Sequence, residues 1–254
     1  MKNPVHSVLG LLVISSMAFM VAAGTRADTI HAAVASNFQR TMKALAPIFE
    51  ARTGHRLVIS HGATGRLYAQ IMNGAPHEVF LAADTERPAR LEKNGRAIPG
   101  TRFTYAVGRL MLCGSTPALR TRGLEVLKEG AFNRLAMANP RLAPYGRAAR
   151  EVLDHFGLSE TLRVRIVRGE NIGQTFHFVR SGAADLGLVA LSQVLALTEK
   201  ERPACTPVPE TLHSPILQQA VLLKDAPAAR AFLAFLRSPE ARKIIQDHGY
   251  ALPK

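Results

Sequence analysis

The alternation of strand-like and helix-like segments is the feature that most constrains the fold of this chain. Short apolar segments, such as 29–35 and 78–83, are followed by stretches with apolar residues three or four positions apart. After the first segment, Phe38, Met42 and Leu45 recur at this helical spacing. Repeated strand–helix units form parallel sheets covered by helices. We therefore expect an α/β protein with parallel-rich mixed sheets flanked by helices.

The arrangement of these units predicts two lobes. One group of units precedes a long apolar segment at 103–115 that reads as a single strand, and a second group follows it. Another strand-like segment, at 214–223, leads into two terminal helices. We expect residues 28–107 to form the first part of lobe 1 and residues 108–213 to form lobe 2. Residues 214–254 would then return to lobe 1, and a ligand cleft would lie between the lobes.

The N-terminal residues have the pattern of a secretory signal peptide. Lys2 precedes an apolar core at 8–21, and small residues follow it as far as Ala27. We expect residues 1–27 to be removed on export, with cleavage after Ala27 or after Ala23. An uncleaved membrane anchor is the alternative.

The net charge of +13 raises the possibility of a nucleic-acid or anionic partner. The basic residues are scattered, however, aromatic residues make up only 6%, and tryptophan is absent from the sequence. These features argue against nucleic-acid binding. The excess arginine is expected to lie at the surface, where it favours solubility or attracts anions.

The sequence contains two cysteines, Cys113 and Cys205. Export into an oxidising compartment makes a disulfide between them plausible, and two unrelated buried thiols are the alternative. No group of Cys and His residues has the spacing of a zinc site. Four histidines lie near one another in sequence, but they do not share one helix face at four-residue spacing. They are His31, His55, His61 and His77.

Polar or glycine-bearing stretches occur where four predicted helices begin after strands. They are Ser36-Asn37, 63–65, 144–146 and 171–173. In open α/β sheets, ligands bind beyond the carboxyl ends of strands. A helix N-terminus has unpaired N–H groups and partial positive charge, so it binds anions without Lys or Arg. The four stretches together predict an oxyanion site, although each stretch could instead merely cap its own helix.

Five segments, in order and almost without gaps, carry a resemblance to a known family. They are AAVASNFQRTMKALAPIFEARTGHRL, GATGRLYAQIMNGAPHEVFLAAD, ANPRLAPYGRAAREVL, ENIGQTFHFVRSGAADLGLVALSQV and GYALP. The chain resembles the periplasmic molybdate-binding proteins of ABC importers. The resemblance implies a two-lobe periplasmic binding-protein fold of type II with a hinge. It also implies a periplasmic monomer that closes around molybdate or tungstate and delivers it to a membrane permease, with no catalytic activity and no cofactor.

The same resemblance implies which residues contact the ligand. By position, the contacts fall on Ser36, Asn37, Thr64, Tyr145 and Ile172. Ile172 would contribute its backbone N–H, and Asn37, Thr64 and Tyr145 would donate hydrogen bonds. Of Ser36 and Asn37, one would cap the first helix and both could face the anion. Molybdenum would be present only within the oxyanion, without direct protein ligands.

Several other functions remain as alternatives. Sulfate matches molybdate in charge and shape but is smaller, and phosphate carries a proton that calls for an acceptor in the site. Ferric iron calls for clustered tyrosines, whereas the four tyrosines are dispersed. An enzyme on the same fold, such as a porphyrin-pathway deaminase with a Cys-held cofactor, would need a catalytic acid near Cys113. An effector-sensing regulator domain would need a DNA-binding segment before the fold.

Overall fold

The computed structural model describes residues 27–253. The predicted signal peptide at 1–27 therefore lies outside the described residues except for Ala27. Within the described range, none of the helices combines the length and the apolar character that crossing a membrane requires.

The described residues form ten strands and ten α-helices. The strands are β1 (Thr29–Ala35), β2 (Arg56–Gly62), β3 (Val79–Ala82), β4 (Phe103–Gly108), β5 (Leu110–Gly114), β6 (Leu135–Ala138), β7 (Ile166–Gly169), β8 (Leu186–Ala190), β9 (Ala204–Pro207) and β10 (Ile216–Leu222). The helices are α1 (Gln39–Thr53), α2 (Thr64–Met72), α3 (Glu86–Lys93), α4 (Ala118–Arg122), α5 (Glu125–Glu129), α6 (Pro144–His155), α7 (Ile172–Arg180), α8 (Leu191–Leu195), α9 (Pro227–Leu236) and α10 (Pro239–Asp247).

The strands form two five-stranded mixed sheets, one in each lobe. The first sheet has the order β2-β1-β3-β10-β4, and the second has the order β7-β6-β8-β5-β9. In the first sheet β1 is parallel to β2 and β3, while β10 is antiparallel to β3 and β4. In the second sheet β6 is parallel to β7 and β8, while β5 is antiparallel to β8 and β9. The predicted two-lobe α/β fold is confirmed.

The chain passes between the lobes at Arg109. The segment 103–115, predicted as one strand, is divided there into β4 of the first sheet and β5 of the second. Pairing on both sides explains the break. Val107 pairs with Ala251 of the C-terminal segment, and the Arg109 carbonyl oxygen accepts a hydrogen bond from the Leu191 N–H at 3.0 Å. The chain returns to the first sheet at β10.

Each lobe has its own apolar core. In the first lobe, Phe49 of α1 packs edge-to-face on Phe232 of α9, with ring centroids 5.2 Å apart. In the second lobe, α6 covers the sheet through side chains that include Val152. The second core continues across the cleft to Ala35 and Ala83, which lie at the ends of first-lobe strands. The lobes are therefore packed against each other.

Cys113 on β5 and Cys205 on β9 form a disulfide. The two residues lie directly opposite each other on adjacent antiparallel strands, with Cα atoms 4.1 Å apart. They are 92 positions apart in sequence, so the bridge closes a long loop. A loop of this length reduces the entropy of the unfolded chain substantially.

We predict that replacing both cysteines by alanine lowers the free energy of unfolding by about 2–5 kcal/mol, because the unfolded chain regains loop entropy. Urea denaturation of the mature protein measures this change. Thiol titration of the unfolded, unreduced wild type provides the control and should detect no free thiol. Two free thiols per chain would disprove the bridge.

Candidate functional site

A small cavity of about 10 Å³ lies between the two lobes. All five residues that the family resemblance implied as ligand contacts lie on its wall. The complete lining is Ala35, Ser36, Asn37, Gly62, Ala63, Thr64, Ala83, Ala143, Pro144, Tyr145 and Ile172. The cavity is smaller than the 300–1,000 Å³ typical of sites for drug-sized ligands. It therefore suits a small ion better than a sugar or a peptide.

Four helix N-termini meet at this cavity, two from each lobe. In the first lobe, a 3₁₀ turn at Ser36–Phe38 leads into α1, and α2 begins at Thr64. In the second lobe, α6 begins at Pro144 and α7 at Ile172. Since each helix has partial positive charge at its N-terminus, the four ends together favour an anion.

Alanine occupies the capping position at three of these helix starts. Ala35, Ala63 and Ala143 have extended backbones and no side chain that could accept a hydrogen bond. The fourth cap, Asn171, accepts from the Gln174 N–H at 3.1 Å. Three of the four helix starts therefore lack a capping side chain, although such caps usually stabilise a helix by ~1 kcal/mol.

This arrangement corrects the predicted role of Ser36 and Asn37. Neither side chain caps the first helix, because the capping position is one residue earlier, at Ala35. Asn37 is buried and uses both of its amide protons within the protein. Its Nδ2 donates to Gln218 Oε1 at 2.8 Å and to the Tyr250 hydroxyl at 3.1 Å. Donation from Asn37 to a ligand therefore falls to its backbone N–H.

Thr64 retains a free hydroxyl proton. Its Oγ1 accepts a hydrogen bond from the Ala83 N–H at 3.1 Å, and this contact orients the side chain. A threonine hydroxyl can accept and donate at the same time. Thr64 is therefore positioned to donate to a ligand in the cavity.

The cavity wall is electrically neutral. Every residue of the lining given above is uncharged at neutral pH. Burial, and to a smaller extent the nearby hydroxyls of Tyr250 and Tyr105, raises the pKa of Tyr145 well above its ordinary value. Tyr145 therefore remains protonated at physiological pH. In the described part of the chain, no group of three His, Cys, Asp or Glu residues is arranged to hold a metal ion.

Residues 30–251 match the family model of bacterial extracellular solute-binding proteins. The chain belongs to this family. It is 45% identical to the molybdate-binding protein ModA of Azotobacter vinelandii, over 96% of this chain and 98% of that protein. It is 42% identical to ModA of Rhodobacter capsulatus, over 94% and 93% of the two chains.

Solved structures agree with this family assignment. The A. vinelandii periplasmic molybdate-binding protein superposes with a TM-score of 0.83 at 40% identity, covering 89% of this chain and 100% of that one. The sulfate-binding protein SubI of Mycobacterium tuberculosis has a TM-score of 0.71 at 14% identity, covering 89% and 87%. The latter likeness shows a shared fold alone.

Behind the cavity of this solute-binding protein lies a polar network that sequence analysis did not find. Its buried members are Asn37, Tyr105, Tyr145, Ser192, Gln218 and Tyr250. The Tyr250 hydroxyl donates to the Asn37 carbonyl oxygen at 2.8 Å, and Ser192 Oγ donates to the same oxygen at 3.2 Å. The available signal was Gln218-Gln219, a polar pair within the otherwise apolar segment 216–222.

Further hydrogen bonds hold the lobes of this solute-binding protein in a closed arrangement. The Gly65 N–H donates to the Leu142 carbonyl oxygen at 2.8 Å. Arg87 Nη2 donates to the Arg141 carbonyl oxygen at 2.9 Å. At Gly65 the approach is close, since an added Cβ would lie 3.0 Å from Arg87 Nη2 and 3.1 Å from the Leu142 Cα. A side chain at this position would therefore crowd both neighbours when the lobes are closed.

Proposed function

We propose that this protein captures molybdate or tungstate in the periplasm and delivers it to the membrane permease of an ABC importer. The observation that carries the proposal is the neutral cavity at which four helix N-termini converge, three of them without a capping side chain. The curated relatives, at 45% and 42% identity, support molybdate as the ligand.

The chemistry of the wall suits a fully deprotonated tetrahedral oxyanion. Such an ion accepts hydrogen bonds on all its oxygens and has no proton to donate. The helix N–H groups and the Thr64 hydroxyl supply donors, and each hydrogen bond to a charged group contributes ~1.5–3 kcal/mol. Phosphate that carries a proton gains less here, because the lining contains no carboxylate to accept that proton. Sulfate is smaller than molybdate and would contact fewer donors at once.

The proposal includes several finer points. The protein acts as a monomer, catalyses no reaction, and needs neither a cofactor nor a nucleic-acid partner. The signal peptide at 1–27 is removed during export. The ligand-binding residues are Ser36, Asn37, Thr64, Tyr145 and Ile172, of which Thr64 donates through its hydroxyl and Ile172 through its N–H.

Isothermal titration of the purified mature protein with molybdate, tungstate, sulfate and phosphate tests the proposed function. Molybdate and tungstate should bind more tightly than the other two anions by at least about a hundredfold, equivalent to ~3 kcal/mol. Equal affinity for sulfate, or no binding of molybdate, would contradict the proposal.

The affinity for molybdate should change little between pH 7 and pH 8. Burial, and secondarily the charge of Lys43, lowers the pKa of His61, and burial lowers the pKa of His248. These rings are therefore neutral through this range, and Tyr145 stays protonated. Sodium chloride should weaken binding only modestly, since a closed cleft is poorly screened. A steep loss of affinity with salt or rising pH would show that titrating or surface charges hold the anion.

Replacing Thr64 by valine should lower the affinity for molybdate about ten- to hundredfold. The variant keeps the shape of the side chain and loses the hydroxyl, whose hydrogen bond to the anion contributes ~1.5–3 kcal/mol. Thr64→Ser, which keeps the hydroxyl, is the matched control and should bind nearly like wild type. If Thr64→Val retains wild-type affinity, Thr64 does not donate to the ligand.

Replacing Gly65 by alanine should oppose closure without impairing folding. Alanine is a better helix former than glycine by ~1 kcal/mol, but its Cβ would press on Leu142 across the cleft. We expect weaker binding of molybdate and no compaction on ligand addition in small-angle scattering. Gln70→Ala, an exposed position on the same helix, is the control. Wild-type affinity and compaction in Gly65→Ala would contradict the closed arrangement as the bound state.

A further inference from the structure

One buried side-chain amide, that of Gln218, forms hydrogen bonds with residues of both lobes next to the cavity. Gln218 on β10 is fully buried, with 0% exposure. Its Oε1 accepts hydrogen bonds from Asn37 Nδ2 at 2.8 Å and from the Tyr105 hydroxyl at 3.2 Å, both in the first lobe. Its Nε2 donates to the hydroxyl of Tyr145, in the second lobe, at 3.3 Å. Asn37 and Tyr145 both line the cavity.

A shift in the strand pairing of the first sheet orients the Gln218 side chain. The pairing of β10 with β4 shifts between Gln218 and Gln219, so that Gln218 pairs with Ala106 and Gln219 with Thr104. Tyr105, the residue between these partners on β4, donates to Gln218. Such bulges re-aim side chains next to functional sites. Gln219 binds Arg102 and Thr104 instead and does not contact the cavity.

The Gln218–Tyr145 contact also lies at the crossing between the lobes. An added Cβ at Gly108, the last residue of β4, would lie 2.2 Å from the Tyr145 hydroxyl and 2.9 Å from Gln218 Nε2. The absence of a side chain at Gly108 therefore gives Tyr145 the space to reach Gln218. Opening of the lobes would move Tyr145 away, whereas the bonds to Asn37 and Tyr105 lie within the first lobe.

We propose that Gln218 is a positioning residue that couples ligand capture to lobe closure. It accepts a hydrogen bond from Asn37 in the part of the cavity wall that belongs to the first lobe. It donates to Tyr145, in the part that belongs to the second lobe, only when the cleft is closed. An interaction made only in the closed state shifts the equilibrium towards that state. The inference rests on the proposed oxyanion-binding function, and it assigns to Gln218 a role in retaining the ligand without touching it.

The test uses Gln218→Met, which keeps the length of the side chain and removes its hydrogen bonds. Stopped-flow measurements with molybdate should show dissociation faster by about ten- to hundredfold, whereas association changes little, because the contact forms after encounter. Gln219→Met, on the neighbouring residue, is the matched control and should leave both rates unchanged. Unchanged dissociation in Gln218→Met, or an equal effect in Gln219→Met, would overturn the proposal.

Tyr145→Phe provides a second variant, which removes only the hydroxyl at the second-lobe end of the contact. It should also speed dissociation, and its effect should be smaller in the Gln218→Met background than in wild type, because coupled residues are not additive. The effect that remains in that background reports the direct contact of Tyr145 with the ligand. Strictly additive effects would contradict the coupling. Should Gln218→Met fail to fold, Tyr145→Phe tests the proposal through lobe distances measured without ligand, where the direct contact of Tyr145 with the anion plays no part.

Measuring the distance between the lobes distinguishes a failure of this inference from a failure of the proposed function. Spin labels attached through Gln70→Cys and Glu160→Cys, both exposed, report the distance between lobes without any ligand. Gln218→Met should show a smaller closed fraction than the same labelled protein with Gln218 intact. If wild type binds no oxyanion, the proposed function fails, and the distance measurement still decides the role of Gln218. Equal distributions in the two proteins would refute it.

Discussion

The structure depends on four helix N-termini that converge between the lobes, three of them without a capping side chain. Alanine at three capping positions gives up stabilisation of ~1 kcal/mol at each helix, relative to serine or asparagine. These helix starts line one small cavity, where their dipoles are fixed before a ligand arrives. A preorganised donor needs no reorientation on binding, so less of its interaction energy is lost.

Two sheets are needed to assemble such a site. One parallel strand–helix–strand unit directs its helix N-termini to one edge of its sheet. When the two sheets place these edges opposite each other, two helix ends from each lobe come together around a small volume. The chain crossings at Arg109 and before β10 hold the edges opposite each other, and the contact between Val107 and Ala251 fixes the C-terminal segment beside them. Tyr250, in that segment, then reaches the carbonyl oxygen of Asn37.

The features that depend on local sequence pattern could be predicted from the sequence. Strand–helix alternation predicted the α/β fold, and glycine and hydroxyl residues marked the helix starts that line the cavity. The cap at Ser36 and the single strand at 103–115 were predicted wrongly, because helix starts and strand breaks of this kind are decided by tertiary contacts. The Gln218-Gln219 pair stands out in its apolar segment, but the contact of Gln218 with Asn37 could not be predicted, since the two are 181 positions apart and local pattern carries no information about that pairing.

Under the proposed function, a neutral site divided between the lobes also explains how a bound ion can be released. Burying an arginine against the anion would require removing both charges from water, at a cost of several kcal/mol for each ion. Neutral donors avoid the cost of removing a second charge, that of the protein side chain, from water. Because the four helix ends are shared between the lobes, opening leaves the anion in contact with only two of them, so its affinity falls sharply. A permease that binds the open form would thus receive the ion without any chemical change in the protein. Under this proposal retention depends on closure, and a contact that forms only on closure, as proposed for Gln218 and Tyr145, would lengthen the lifetime of the bound state.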